Sequence, residues 1–389
     1  MIPRFAVEYG WKDAAAAVRS VVTNRMETSL ELFPSEGNSD LYLFPTHRGR
    51  EALYLILKTL GLPAGARVGV PLYACSVVAK TVVAAGMAPI FLDADPDTFG
   101  LNLADLKNKA AHLDCLILVY TFGYPSNFDS IAEVMRDRPI IEDCAHSLGS
   151  TYQGRPLGQL GDASLFSFGF FKPLRASGGG CIVTRSESLA EKLKGMLAES
   201  ASESIRQGII HAARCFLYAS AFRQPIYTLV KRFRNGHSEI DQLQEDSAAT
   251  TEKLISRQLS MRLSDSPGIA TRLRARHMEE NGCSEFWNRV RSGAPGQWHI
   301  PDEPLFGRWN HFMLPVRACS SEICSDTIAR LRKKGIDATR IYPNRKSELH
   351  CVGYTGDCPE AERLSSCTFM LPYHRGLSRR EQECILRAL

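Results

Sequence analysis

Apolar positions along the 389-residue chain recur with two alternating periods. Residues 50–61 (REALYLILKTLG) place apolar side chains at helical spacing and stop on Gly61, a good helix terminator. Short apolar runs, rich in β-branched residues, then alternate with helical stretches. The runs at 67–71, 89–93, 115–120, 139–143, 164–168 and 181–184 predict strands, and the stretches at 77–86, 102–111 and 130–136 predict helices between them. Strand–helix–strand repetition with such strands predicts a mostly parallel sheet covered on both faces. Ligands in such sheets bind beyond the C-terminal strand ends. Residues 201–250 break the rhythm: a long, basic, partly helical insertion runs into a polar stretch. From about Trp309 a smaller unit begins, read as strand (311–316), helix (325–335), strand (337–342) and a final helix from Ser378. The expected class is α/β with a smaller α+β C-terminal domain. The expected division is 1–250 for the large domain, insertion included, and 251–389 for the small domain with a connecting helix.

Composition narrows the class without changing it. A hydrophobic fraction of 44% and a charged fraction of 23% are globular values, which excludes disorder, collagen and coiled coil. The formal charge of +5 is too small to mark a nucleic-acid binder, and none is expected as a partner. That charge is also local. Between Glu203 and Glu239 stand Arg206, Arg214, Arg223, Lys231, Arg232 and Arg234 with no acid among them, so the remainder of the chain is near neutral. The first residues lack the apolar run of a secretory leader, and no charge-free run reaches the ~18–20 residues of a spanning helix, so the expectation is a soluble, cytoplasmic protein. The twelve cysteines are irregularly spaced without a Cys-x-x-Cys, and they read as reduced thiols. No Cys/His pairs have zinc-ligand spacing, so no metal site is expected.

Two strand ends could carry chemistry. The run 139–143 ends in Glu142-Asp143, and a carboxylate leaving a buried strand faces the ligand crevice, where it needs a cationic partner. The alternative is a helix N-cap Asp. The run 164–168 leads to Lys172 in apolar company. Burial there would lower its pKa and supply a neutral, nucleophilic amine. The alternative is a snorkelling surface lysine. Gly178, Gly179 and Gly180 permit close backbone approach, or form an ordinary turn. Gly49, Arg50 and Glu51 open the helix 50–61, where amides could face a phosphate, as at any helix start. A lysine, a carboxylate and an anion-binding helix start together suit pyridoxal 5'-phosphate (PLP).

Longer motifs extend this. They are Gly49–Gly61, the stretch from Val70 to Asp93, Phe122-Gly123-Tyr124-Pro125, Glu142-Asp143-Cys144-Ala145-His146, Phe166-Ser167-Phe168 with Lys172, Cys358-Pro359-Glu360-Ala361-Glu362, and Leu371-Pro372-Tyr373-His374. In this order the chain resembles the DegT/DnrJ/EryC1/StrS aminotransferases, PLP enzymes that aminate keto sugars attached to nucleotides. The resemblance implies an aspartate-aminotransferase-like (fold type I) architecture. It implies Lys172 as Schiff-base lysine and proton shuttle, Asp143 on the pyridinium nitrogen, and His146 beside the ring. Ser167 and the amides of Gly49, Arg50 and Glu51 would bind the phosphate.

The chain departs from the family pattern in three places. Arg50 replaces a small hydroxyl residue. Cys75 stands where an aromatic covers the ring, with Tyr73 two residues away as the other candidate. Gly169 replaces a histidine. The implied reaction moves an amino group from an amino acid, glutamate, to a nucleotide-linked keto sugar in glycan or secondary-metabolite biosynthesis, in a homodimer. The competing readings are a PLP-dependent dehydratase or other PLP chemistry, and a non-catalytic scaffold in polysaccharide assembly. For the basic stretch 205–235 the readings are a dimer arm or surface helix pair, a diphosphate clamp, and a peripheral membrane contact.

Overall fold

The structure is a computed structural model. It describes residues 1–5, 15, 40–169, 171–174, 179–198, 201–202, 209–210, 213, 216–217, 220–221, 226–233, 261–262, 284–293, 296, 298–343, 345–374 and 376–389. The expected division at residue 250 lies outside these, as do Gly178 and most of the basic stretch.

The strands of the large sheet are β1 (Tyr42–Thr46), β2 (Arg67–Pro71), β3 (Ala88–Leu92), β4 (Cys115–Val119), β5 (Ile140–Asp143), β6 (Ala163–Ser167) and β7 (Gly180–Thr184). They lie in the order β1-β7-β6-β5-β4-β2-β3. Every residue of β4 and β5 is buried, as parallel strands covered on both faces require. The covering helices are α1 (Gly49–Thr59), α2 (Ser76–Ala84), α3 (Leu103–Lys109), α4 (Phe128–Met135) and α5 (Glu187–Ala198). Helix α1 turns Ala52, Leu53, Leu55, Ile56 and Leu57 into the core. Asn102 starts α3 by accepting the Ala104 and Asp105 amides.

Strands β2 to β6 pair in parallel, whereas β7 is antiparallel to both β6 and β1. The cause is the connection. The described residues between β6 and β7, Lys172 among them, form no crossover helix, and a parallel return would need one. Register then gathers the site. Ser167 pairs with Gly180, and Gly180 with Thr46. The C-terminal ends of β1, β2, β4, β5 and β6 therefore share one edge with the start of β7.

The basic stretch contributes α6 (Ile226–Phe233). Its Tyr227 is buried and gives its hydroxyl to Asp337, while Ile226 and Leu229 are exposed. Next come α7 (Ser284–Ser292) and a four-stranded sheet of β8 (Trp298–His299), β9 (Leu314–Ala318), β10 (Thr339–Arg340) and β11 (Thr368–Leu371), ordered β8-β9-β11-β10. Helices α8 (Ser321–Lys333), α9 (Pro359–Cys367) and α10 (Arg379–Leu386) accompany it. Strand β11 is central and fully buried, yet the sequence pattern does not announce it. Four residues are too few to show a period, and their burial comes from β9 and β10.

The two sheets are tied closely. Asp93, just beyond β3, accepts the Ala361 amide at 2.7 Å and the Glu360 amide at 3.2 Å. Lys80 of α2 pairs with Glu348 at 3.2 Å, and the Trp309 indole donates to the Phe122 carbonyl at 2.8 Å. The ten described cysteines are free thiols. Among the described residues no helix is long and apolar enough to cross a membrane.

Candidate active site

Glu142 and Asp143 end β5 on opposite faces, as strand alternation dictates. Glu142 is fully buried and accepts from the Tyr120 hydroxyl (2.8 Å) and the amides of Gly158, Leu160 and Gly161 (2.9, 2.7 and 2.8 Å). Four donors make up for the solvent it has lost and anchor the strand end. Asp143 turns to the ligand edge. Its Oδ1 accepts the Ala145 amide at 2.9 Å, which folds the chain back toward His146.

Lys172 arrives from the β6–β7 connection. Its Nζ lies 3.2 Å from His146 Nε2. Burial pushes the Lys172 amine down, against the pull of Cys75 and Asp143. Burial, reinforced by the Lys172 charge, holds His146 well below the usual imidazole range. Burial pushes Asp143 up, opposed by the Ala145 amide and Lys172. The result is a neutral imidazole, an amine inclined to lose its proton, and a carboxylate in want of a cation.

A segment with no expected role holds this group in place. Asn310 Nδ2 donates to the carbonyls of His146 (2.7 Å) and Leu148 (3.0 Å), and the Phe312 ring lies 5.4 Å from that of His146. Gly123, in the motif Phe122-Gly123-Tyr124-Pro125, has φ +80°, and a Cβ there would meet Asn310 Oδ1 at 2.4 Å. The available signal was the cluster Trp309-Asn310-His311-Phe312 just ahead of β9.

The start of α1 forms the second half of the site. Its N-cap, Arg48, makes no side-chain cap, so the first-turn amides are not closed off by that residue. Glycines let three segments pack closely here. A Cβ on Gly49 would stand 2.9 Å from Ser167 Cβ, and one on Gly180 would stand 2.7 Å from the Arg48 carbonyl carbon and 2.8 Å from the Gly49 nitrogen. Ser167 and Gly49 therefore lie against each other. Glu51 differs from expectation, because its amide already donates to the Arg48 carbonyl at 3.1 Å. Its carboxylate curls back to accept the His47 amide at 2.6 Å.

The two candidates for covering a ring separate. Tyr73 is buried in an aromatic cluster, with centroids at 5.6 Å from Tyr342, 6.1 Å from Phe122 and 6.3 Å from Phe99. Cys75, the half-buried residue before α2, is the one close enough to influence Lys172.

Residues 42–215 match the model of the DegT/DnrJ/EryC1/StrS aminotransferase family. A GDP-perosamine synthase of Escherichia coli O157:H7 is 32% identical over 161 residues, covering 41% of this chain and 44% of the relative. The aligned stretch thus spans less than half of that relative's length. A pleiotropic regulatory protein of Geobacillus stearothermophilus is 24% identical over 350 residues, covering 88% of this chain and 82% of that one. The solved aminotransferase TlmJ from Streptoalloteichus hindustanus superposes with TM-score 0.74 at 22% identity, covering 100% of this chain and 97% of the other. At that identity the likeness establishes the fold: the α/β, aspartate-aminotransferase-like architecture expected from the sequence.

Proposed function

We propose that this protein is a PLP-dependent aminotransferase that moves an amino group from glutamate to a keto sugar carried on a nucleoside diphosphate. The carrying observation is the convergence of Lys172, His146 and Asp143 beside a glycine-built helix start. The residues fit the cofactor. The close approach of Ser167 to the α1 start, which Gly49 and Gly180 permit, suits a phosphate, with Ser167 and the Gly49 and Arg50 amides as its donors. Asp143 would supply the anion that keeps a pyridine nitrogen protonated, and Cys75 would lie along the ring. PLP supplies an electron sink for charge developing at the carbon next to the transferred nitrogen.

The protein's part is proton handling and orientation. Lys172 would be the covalent attachment point and, once released, the base that moves the proton. Its lowered pKa brings it toward the operating pH. Neutral His146 would orient that amine through the 3.2 Å contact. Relatives named for GDP-perosamine synthesis and for 3-amination of a UDP-N-acetyl-3-dehydro-glucosamine support a nucleotide-linked acceptor. The remaining proposals are a homodimer and a division into a large domain and a small one.

The test is spectroscopic. Purified protein with PLP should absorb near the visible edge, Lys172→Ala should abolish that band, and glutamate should bleach it in the wild type. Incubation with keto-sugar nucleotides should then yield a product with the mass of the amino sugar. A protein that takes up no PLP overturns the proposal. One that binds PLP without responding to amino donors is not a transaminase.

A further inference from the structure

Glu51 is a buried acid that the chemistry above does not use. It is 2% exposed, and its carboxyl accepts the backbone amides of His47 and Arg48, the two residues ahead of Gly49. A helix start offers a fixed set of outward N–H groups and one positive dipole end. Here a carboxylate draws on that start from one side and, on the reading above, a phosphate draws on it from the other.

Among the described residues the charged surroundings of Glu51 are few. Its own turn carries His47, Arg48 and Arg50. The facing strands bring Thr46, Ser167, Gly179 and Gly180, none of which titrates. Of the neighbouring helices, α2 turns Lys80 to Glu348, and α5 sends Lys192 to the Thr59 carbonyl at the far end of α1. Desolvation lifts the Glu51 carboxyl to about 7, and the opposing influences are the two backbone amides. The group therefore sits close to half-ionised near neutrality.

We propose that Glu51 couples the phosphate seat to a proton: an ionised phosphate group and an ionised Glu51 oppose each other at this helix start, so binding draws a proton onto Glu51. The coupling rests on the reading of the α1 start as the seat of the cofactor's phosphate. Two like charges in one buried turn shift each other's equilibria by about a hundredfold. Phosphate affinity then falls as pH rises through neutrality. Glu51→Gln keeps an acceptor for the His47 amide and removes the charge.

The probe is pyridoxine 5'-phosphate, which has no aldehyde and cannot react with Lys172. It is titrated calorimetrically into the full-length, cofactor-free protein at pH 8, in two buffers of different ionisation heat. The wild type should take up close to one proton more per ligand than Glu51→Gln, because the ligand's own titration cancels between them. The variant should bind about tenfold more tightly than wild type at pH 8 and equally at pH 6. Should the variant fail to fold, infrared difference spectra of the wild type decide, since binding at pH 8 should raise the band of a protonated carboxyl. Binding with equal proton uptake in both proteins, or without that band, overturns the coupling and leaves the seat intact. Absence of binding together with absence of PLP uptake overturns the seat itself.

Discussion

Helices α1 and α9 both begin at a residue that makes no side-chain cap, Arg48 and Cys358 respectively, and the fold treats these starts in opposite ways. At α9, Pro359 occupies the first turn and the next amides are filled from the other sheet by the Asp93 carboxylate. At α1, Gly49 and Gly180 let Ser167 and β7 pack against the turn, and the turn's own Glu51 carboxylate accepts the His47 amide. The local physics is the same: unbonded amides and a positive dipole end attract an anion. In one place the anion is built in and joins two sheets. In the other, on the proposed function, the anion comes from outside. A helix start acquires its use from what the rest of the fold delivers to it.

Disturbing the packing at the α1 start should have the largest effect. In Gly180→Ala the new Cβ meets backbone of Arg48 and Gly49, which cannot rotate away. Overpacking of about 3 kcal/mol predicts roughly a hundredfold loss of PLP affinity, measured by titration of the cofactor-free protein. Retention of wild-type affinity would show that the α1 start is not the seat.

The next effect is on stability against pH. Folding raises Glu51 from 4.5 to about 7, so the folded chain holds a proton there that the unfolded chain releases above 4.5. Stability from this group is full below about 4.5 and is lost as pH rises to about 7, a change of about 3 kcal/mol. Urea titrations of wild type and Glu51→Gln should therefore diverge in the variant's favour across that window. Parallel curves would mean that Glu51 ionises normally.

Smallest is the closed start. Asp93→Ala should cost about 1–2 kcal/mol of stability, with PLP affinity unchanged. A parallel loss of PLP would break the comparison, because the two starts would then not be separable.

The site was legible to differing depths. Lys172, Asp143 and His146 follow from residue type at strand ends and from family motifs, and they meet in space. Asn310 was not readable, because it acts on His146 across 164 residues of chain. Glu142 was visible only as a carboxylate, since three of its four donors are amides of a loop 16–19 residues further on. Among the elements, β2 falls where its apolar run predicts. Strand β1 is not among the predicted runs; it contains Pro45 and forms the sheet edge, where proline is tolerated.

Local periodicity and turn residues thus specify a parallel, helix-covered sheet and the residue types at its strand ends, because both depend on neighbours a few positions away. Three other things depend on groups brought together in space. Packing set Tyr73 into an aromatic cluster and left Cys75 toward Lys172. Burial moved the proton equilibria of Lys172, His146 and Glu51, since desolvation is a property of the assembled fold and not of the chain. And the arrival of Asp93 at one helix start, with closely packed glycines and Glu51 at the other, made the two starts differ.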